Sequence, residues 1–115
     1  MHELMATQEM VRSLLNVCQE KGIEKPLKQV DLEIGELTTY EKEPFHYYYD
    51  LLKKEHSLLA ESVLSVEMVL GKLHCEDCGS ENFISKEIEL FCKECGGSNT
   101  RIIQGKDIII KKIEI

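Results

Sequence analysis

Two cysteine pairs, Cys75-Glu-Asp-Cys78 and Cys92-Lys-Glu-Cys95, stand 13 residues apart in a chain of 115. Each C-x-x-C turn presents two sulfurs to one side. Two such turns therefore close four ligands around one cation, and an all-thiolate set suits tetrahedral Zn(II). The gap is shorter than the roughly 15 to 20 residues common for this pattern, but of the same kind. Glycine follows both pairs, as Gly79 and as Gly96-Gly97, and lets the backbone fold under the metal at little steric cost. Two disulfides or a redox C-x-x-C fit less well: the first goes with small secreted chains, the second with a single motif beside a βαβ pattern. A closed four-sulfur site keeps no open position, so the expected role is a structural staple. Cys18 is left over and falls in a helical apolar pattern, where a free cysteine acts as a small buried hydrophobe.

At 43% hydrophobic, the chain has material for one modest core plus a zinc unit. Its formal charge of -7 opposes nucleic-acid binding, which draws most of its affinity from clustered lysine and arginine. Lys53-Lys54 and Lys111-Lys112 are the basic clusters, and each reads as a solvated face. No stretch resembles a membrane-spanning helix or a secretory signal, so the expected compartment is the reducing cytoplasm.

Periodicity supplies the elements. Leu4, Val11, Leu15 and Cys18 share one face of a helix that starts almost at the amino terminus and stops at Gly22. Gln29 to Gly35 alternates, with Val30, Leu32 and Ile34 inward, and predicts a half-buried strand. Pro44 opens a second helix carrying Phe45, Tyr48, Tyr49 and Leu52 on one stripe, which reads as core. A second strand spans about Val63 to Leu70 and leads into the zinc unit. A third follows the last cysteine pair, with a bulge or change of partner expected near Lys111-Lys112, where the apolar phase switches from Ile108 and Ile110 to Ile113 and Ile115. The expected fold is α+β: two helices on one face of a three-stranded sheet, with a zinc-ribbon-like unit inserted before the last strand. Residues 73–99 then form the zinc-binding domain, and residues 1–72 with 100–115 a discontinuous main domain.

The chain opens Met1-His2-Glu3. Removal of an initiator methionine favours a small second residue, so Met1 is expected to stay before His2, and its amine, the backbone nitrogen of His2 and the His2 imidazole then lie in series and close two chelate rings. Strong in-plane nitrogen donors of this kind select Ni(II) or Cu(II). The fourth place is open to the Glu3 backbone nitrogen, its carboxylate or water. A helix starting immediately afterwards would hold this terminus still. His46 and His56 carry less weight, and His74, beside the first zinc cysteine, reads as an exposed neighbour of a site already filled. On these residues alone, a carrier of a removable ion competes with a zinc-ribbon adaptor in which Met1-His2 is incidental. A zinc enzyme would need an open coordination position, which the pattern does not offer.

Met1-His2-Glu3-Leu4, Leu32-Glu33-Ile34-Gly35-Glu36-Leu37, the two C-x-x-C pairs and Gln104-Gly105-Lys106-Asp107 together resemble the HypA/HybF family, nickel metallochaperones of hydrogenase maturation. The resemblance spans the whole chain. It implies His2 as principal Ni(II) ligand, assisted by the Met1 amine, neighbouring backbone nitrogens and Glu3, and structural Zn(II) on Cys75, Cys78, Cys92 and Cys95. It also implies a HypB-type GTPase partner, delivery to the large subunit of nickel-iron hydrogenase, and in some members urease accessory proteins. Such a protein is a carrier, not an enzyme.

Overall fold

A computed structural model of the chain describes residues 2–85 and 89–115. Its elements run α1 (Glu3–Glu20), β1 (Gln29–Gly35), α2 (Lys42–Leu52), β2 (Val63–Val69), β3 (Gly71–Cys75), β4 (Glu81–Ile84), β5 (Thr100–Gln104) and β6 (Ile108–Glu114), with short 3₁₀ turns at Glu36–Thr38 and Lys53–Glu55. The strands form two three-stranded sheets, ordered β2-β1-β6 and β4-β3-β5. The expected α+β architecture is present. What the period-2 reading passed over is the second sheet: β3, β4 and β5 are each five residues or fewer, too short to give a pattern.

The residues form two compact units, one of Met1–Glu33, Tyr40–Glu67 and Ile109–Ile115, the other of Ile34–Thr39 and Met68–Ile108. The first unit holds the helices. α1 buries Glu3, Thr7, Met10, Val11, Leu14 and Cys18, whose three- and four-residue steps lay one stripe along the helix. The sequence reading placed Leu4 on this stripe, but Leu4 is 40% exposed. Glu3 and Thr7 take the inward positions instead, and the apolar count misread the phase because polar residues start the buried face. The helix ends in a Schellman motif: Gly22 N–H bonds to Gln19 O at 3.2 Å and Ile23 N–H to Cys18 O at 2.8 Å, with Gly22 at φ +65. On α2, Phe45 and Tyr49 are fully enclosed, while Tyr48 and Leu52 are half-buried. Each enclosed side chain of this kind contributes about 1.5–3 kcal/mol.

β1 keeps its predicted alternation, with Val30, Leu32 and Ile34 buried. Lys28 N–H bonds to Glu114 O and Gly35 N–H to Asp107 O, so β6 runs antiparallel to β1. Val63 N–H bonds to Lys28 O at the start of both β1 and β2, which therefore run parallel. A parallel pair needs a long crossover, and α2 provides it. The alternation of β6 breaks where expected, since Lys111 and Lys112 are consecutively exposed. In the second sheet β3 is central and antiparallel to both neighbours, with a register shift opposite Lys72/Leu73. Leu73 and Cys75 on β3 and Asn82 and Ile84 on β4 face inward.

Candidate metal centre

The end of β3 delivers Cys75, and the chain then turns tightly twice. In the first knuckle Gly79 N–H bonds to Cys75 O at 2.9 Å and Cys75 N–H to Ser80 O at 2.9 Å. The second repeats it step for step: Gly96 N–H bonds to Cys92 O at 2.8 Å, and Cys92 N–H to Gly97 O at 2.9 Å. Gly79 and Gly96 sit at φ +77 and +74, a backbone region that costs other residues about 1–2 kcal/mol. The glycine after each cysteine pair is thus a turn requirement. In each knuckle the first cysteine is buried and the second exposed.

The four sulfurs meet. Cys75 Sγ lies 3.6 Å from Cys95 Sγ, Cys78 Sγ lies 3.6 Å from Cys92 Sγ, and all four ligand atoms are within 4.8 Å of one another. A tetrahedron with zinc–sulfur bonds of about 2.3 Å has sulfur–sulfur edges of about 3.8 Å. The geometry fits that cation, whereas a disulfide requires sulfurs about 2.05 Å apart, and all five cysteines are free thiols. Bound there, Zn(II) would cross-link the two knuckles and neutralise part of the thiolate charge. His74 is not part of the cluster: its Nδ1 lies 3.7 Å from Glu81 and its Nε2 4.0 Å from Glu76.

The surrounding groups set the thiols apart. Cys92 is lowered to about 5, first by a hydrogen bond from the Ser80 hydroxyl and then by backbone N–H groups of Cys95 and Glu94. Cys78 is also lowered, again first by Ser80. Cys95 has the Gly97 N–H in its favour, yet the neighbouring Cys75 and Cys78 sulfurs push it up to about 12. Ser80 and Asn82, whose Nδ2 approaches Cys92 Sγ at 3.8 Å, were not singled out from sequence. The knuckle repeat was the available signal, because Ser80 and Gly97 occupy the same place in it.

At the other predicted site, His2 is the N-cap residue of α1. Its side chain is exposed and makes no capping hydrogen bond, while its carbonyl accepts the Ala6 N–H at 3.0 Å. Glu3, next along, is 7% exposed, and its carbonyl accepts the Thr7 hydroxyl at 2.6 Å. Met1 lies outside the described residues.

Comparison with known proteins decides the family. The model of the HypA family, described as hydrogenase/urease nickel incorporation, metallochaperone, matches residues 1–115. The chain belongs to the HypA family. It is 36% identical over 110 residues to the hydrogenase maturation factor HypA of Moorella thermoacetica, covering 96% of this chain and 95% of that one. To the HypA of Rippkaea orientalis it is 35% identical over 120 residues, covering 100% and 96%. The solution structure of the Ni metallochaperone HypA from Helicobacter pylori superposes with a TM-score of 0.75 at 20% identity, covering 100% of this chain and 97% of that one. At that identity the likeness is one of fold.

Proposed function

We propose that this HypA-family chain is a nickel carrier that binds Ni(II) at its amino terminus and passes it on during maturation of nickel-iron hydrogenase. The ligands are the His2 imidazole and backbone nitrogen, the Met1 amine, and Glu3 through its backbone nitrogen or carboxylate. The observation that carries this reading is the exposed His2 at the mouth of an 18-residue helix. The first N–H groups of any helix have no intrahelical partner, so the nitrogens needed for chelation are not consumed by α1. The helix fixes the base of the site and leaves one side open to an incoming ligand. Donors can then be exchanged one at a time inside a complex, without release of the ion to water and without breaking a bond in any substrate.

The four cysteines hold Zn(II) as a permanent structural ion. Nickel handling belongs to residues 1–72 with 100–115, and zinc to residues 73–99. The partners are a HypB-type GTPase and the hydrogenase large subunit in the cytoplasm, with urease accessory proteins as a further destination. No helix among the described residues is long and apolar enough to cross a membrane.

The test is a Ni(II) titration of untagged, zinc-loaded protein. Wild type is expected to bind one Ni(II) tightly, and His2→Ala to lose that site while keeping its zinc and its circular dichroism. A residue added before Met1 should remove the amine and change the nickel absorption bands. Affinity should fall as pH drops, because protons and metal compete for the same nitrogens. Equal nickel uptake by wild type and His2→Ala would end the proposal.

A further inference from the structure

Ser80 and Gly97 are counterparts: each accepts, through its carbonyl, the N–H of the cysteine five residues earlier. Backbone donation to the exposed sulfurs is also matched, since Cys78 receives the N–H of Ser80 and Cys95 that of Gly97. The side chains break this equivalence. Ser80 Oγ lies 3.1 Å from Cys78 Sγ and 3.1 Å from Cys92 Sγ, so one hydroxyl bridges both knuckles and shares its single proton between the two sulfurs. Asn82 adds its amide on the Cys92 side.

The counterpart position, a glycine, carries no side-chain donor. A Cβ at Gly97 would stand 3.1 Å from Asp77 Oδ2 and 3.3 Å from Cys95 Sγ, so there is little room there for a side chain that could reach the sulfur. Asn99 Nδ2 holds the Asp77 carboxylate through Oδ1 at 3.3 Å. Four thiolates on one divalent ion leave a net negative charge. A hydroxyl donor stabilises that charge, and the Cys95 side lacks one.

We propose that Ser80 is a positioning residue of the metal centre, holding the Cys78 and Cys92 thiolates and leaving Cys95 as the ligand that exchanges first. The inference rests on the reading of the four cysteines as a Zn(II) site. Exposure does not produce this order, because Cys78 and Cys95 are both exposed. Of the two exposed thiolates, the one that lacks the hydroxyl keeps more charge on sulfur and is the first to meet an electrophile or an incoming metal ligand.

The experiment uses the zinc-loaded full chain with limiting N-ethylmaleimide, reading each cysteine by peptide mass spectrometry, and follows zinc transfer to a chromophoric chelator. Cys95 should be modified several-fold faster than Cys78. Ser80→Ala should bring Cys78 up to the Cys95 rate and release zinc about tenfold faster or more, the scale on which outer-shell partners act. Ser80→Thr, which keeps the hydroxyl, should restore both. In Co(II)-substituted protein the thiolate charge-transfer bands should shift for Ser80→Ala and not for Ser80→Thr. Equal Cys78 and Cys95 rates in loaded wild type would overturn the inference even if Ser80→Ala failed to fold. A wild-type chain that takes up neither Zn(II) nor Co(II) would overturn the zinc reading, and this inference with it.

Discussion

Tyr49 is the largest fully enclosed side chain of the first unit, and its hydroxyl lies 2.6 Å from Ser62 Oγ. Ser62 spends its own proton on Leu59 O, at 2.6 Å, so Tyr49 is the donor between them. Burial pushes the Tyr49 phenol above its ordinary 10.0. The folded chain therefore keeps a proton that the unfolded chain surrenders. That contribution is whole below the ordinary value and lost as pH rises beyond it. Denaturant unfolding should show stability falling more steeply in wild type than in Tyr49→Phe above about pH 10. Near neutrality, loss of the hydroxyl bond should cost Tyr49→Phe about 1 kcal/mol. Cys18, fully enclosed in α1 with its thiol pushed up by burial, should resist alkylation until denaturant is added. Rapid labelling of native protein at Cys18 would contradict its place in the core.

At the scale of elements, three glycines mark where chain segments cross in the second unit. A Cβ on Gly35 would fall 2.0 Å from Gly105 O, and one on Gly105 would fall 2.5 Å from Gly71 Cα. Gly105 also has φ +90. The obstructing atoms are backbone and cannot turn aside. Gly35 N–H to Asp107 O and Leu37 N–H to Gly105 O, at 3.0 and 2.9 Å, depend on this approach. Gly35→Ala should therefore reach or exceed the upper end of the roughly 1–3 kcal/mol that overpacking costs. Gly22→Ala is the control, since nothing lies within 4 Å of its Cβ position. It should lose only the left-handed strain, about 1–2 kcal/mol. Thermal melts of the two variants would rank them, and equal losses would remove the steric account.

For the whole molecule, the two units have unlike sources of stability. The unit bearing the helices buries a stripe from each helix, and the two helices pack on one another. The cysteine-bearing unit offers three short strands and two turns, so the metal should carry much of its folding free energy, on the order of 10 kcal/mol. A zinc chelator should abolish the amide dispersion of residues in β3, β4 and β5 while leaving the helical circular dichroism largely in place. The order of helices and long strands was legible because their apolar periods run over seven or more residues, and the cysteine spacing was legible because covalent sequence fixes which sulfurs a tight turn can bring together. The phase of α1, the second sheet, the glycine crossing and the hydroxyl that reaches Cys78 and Cys92 were decided only in the tertiary structure. Each depends on which segments distant in the chain come to lie side by side, and residue spacing along the chain carries no record of that.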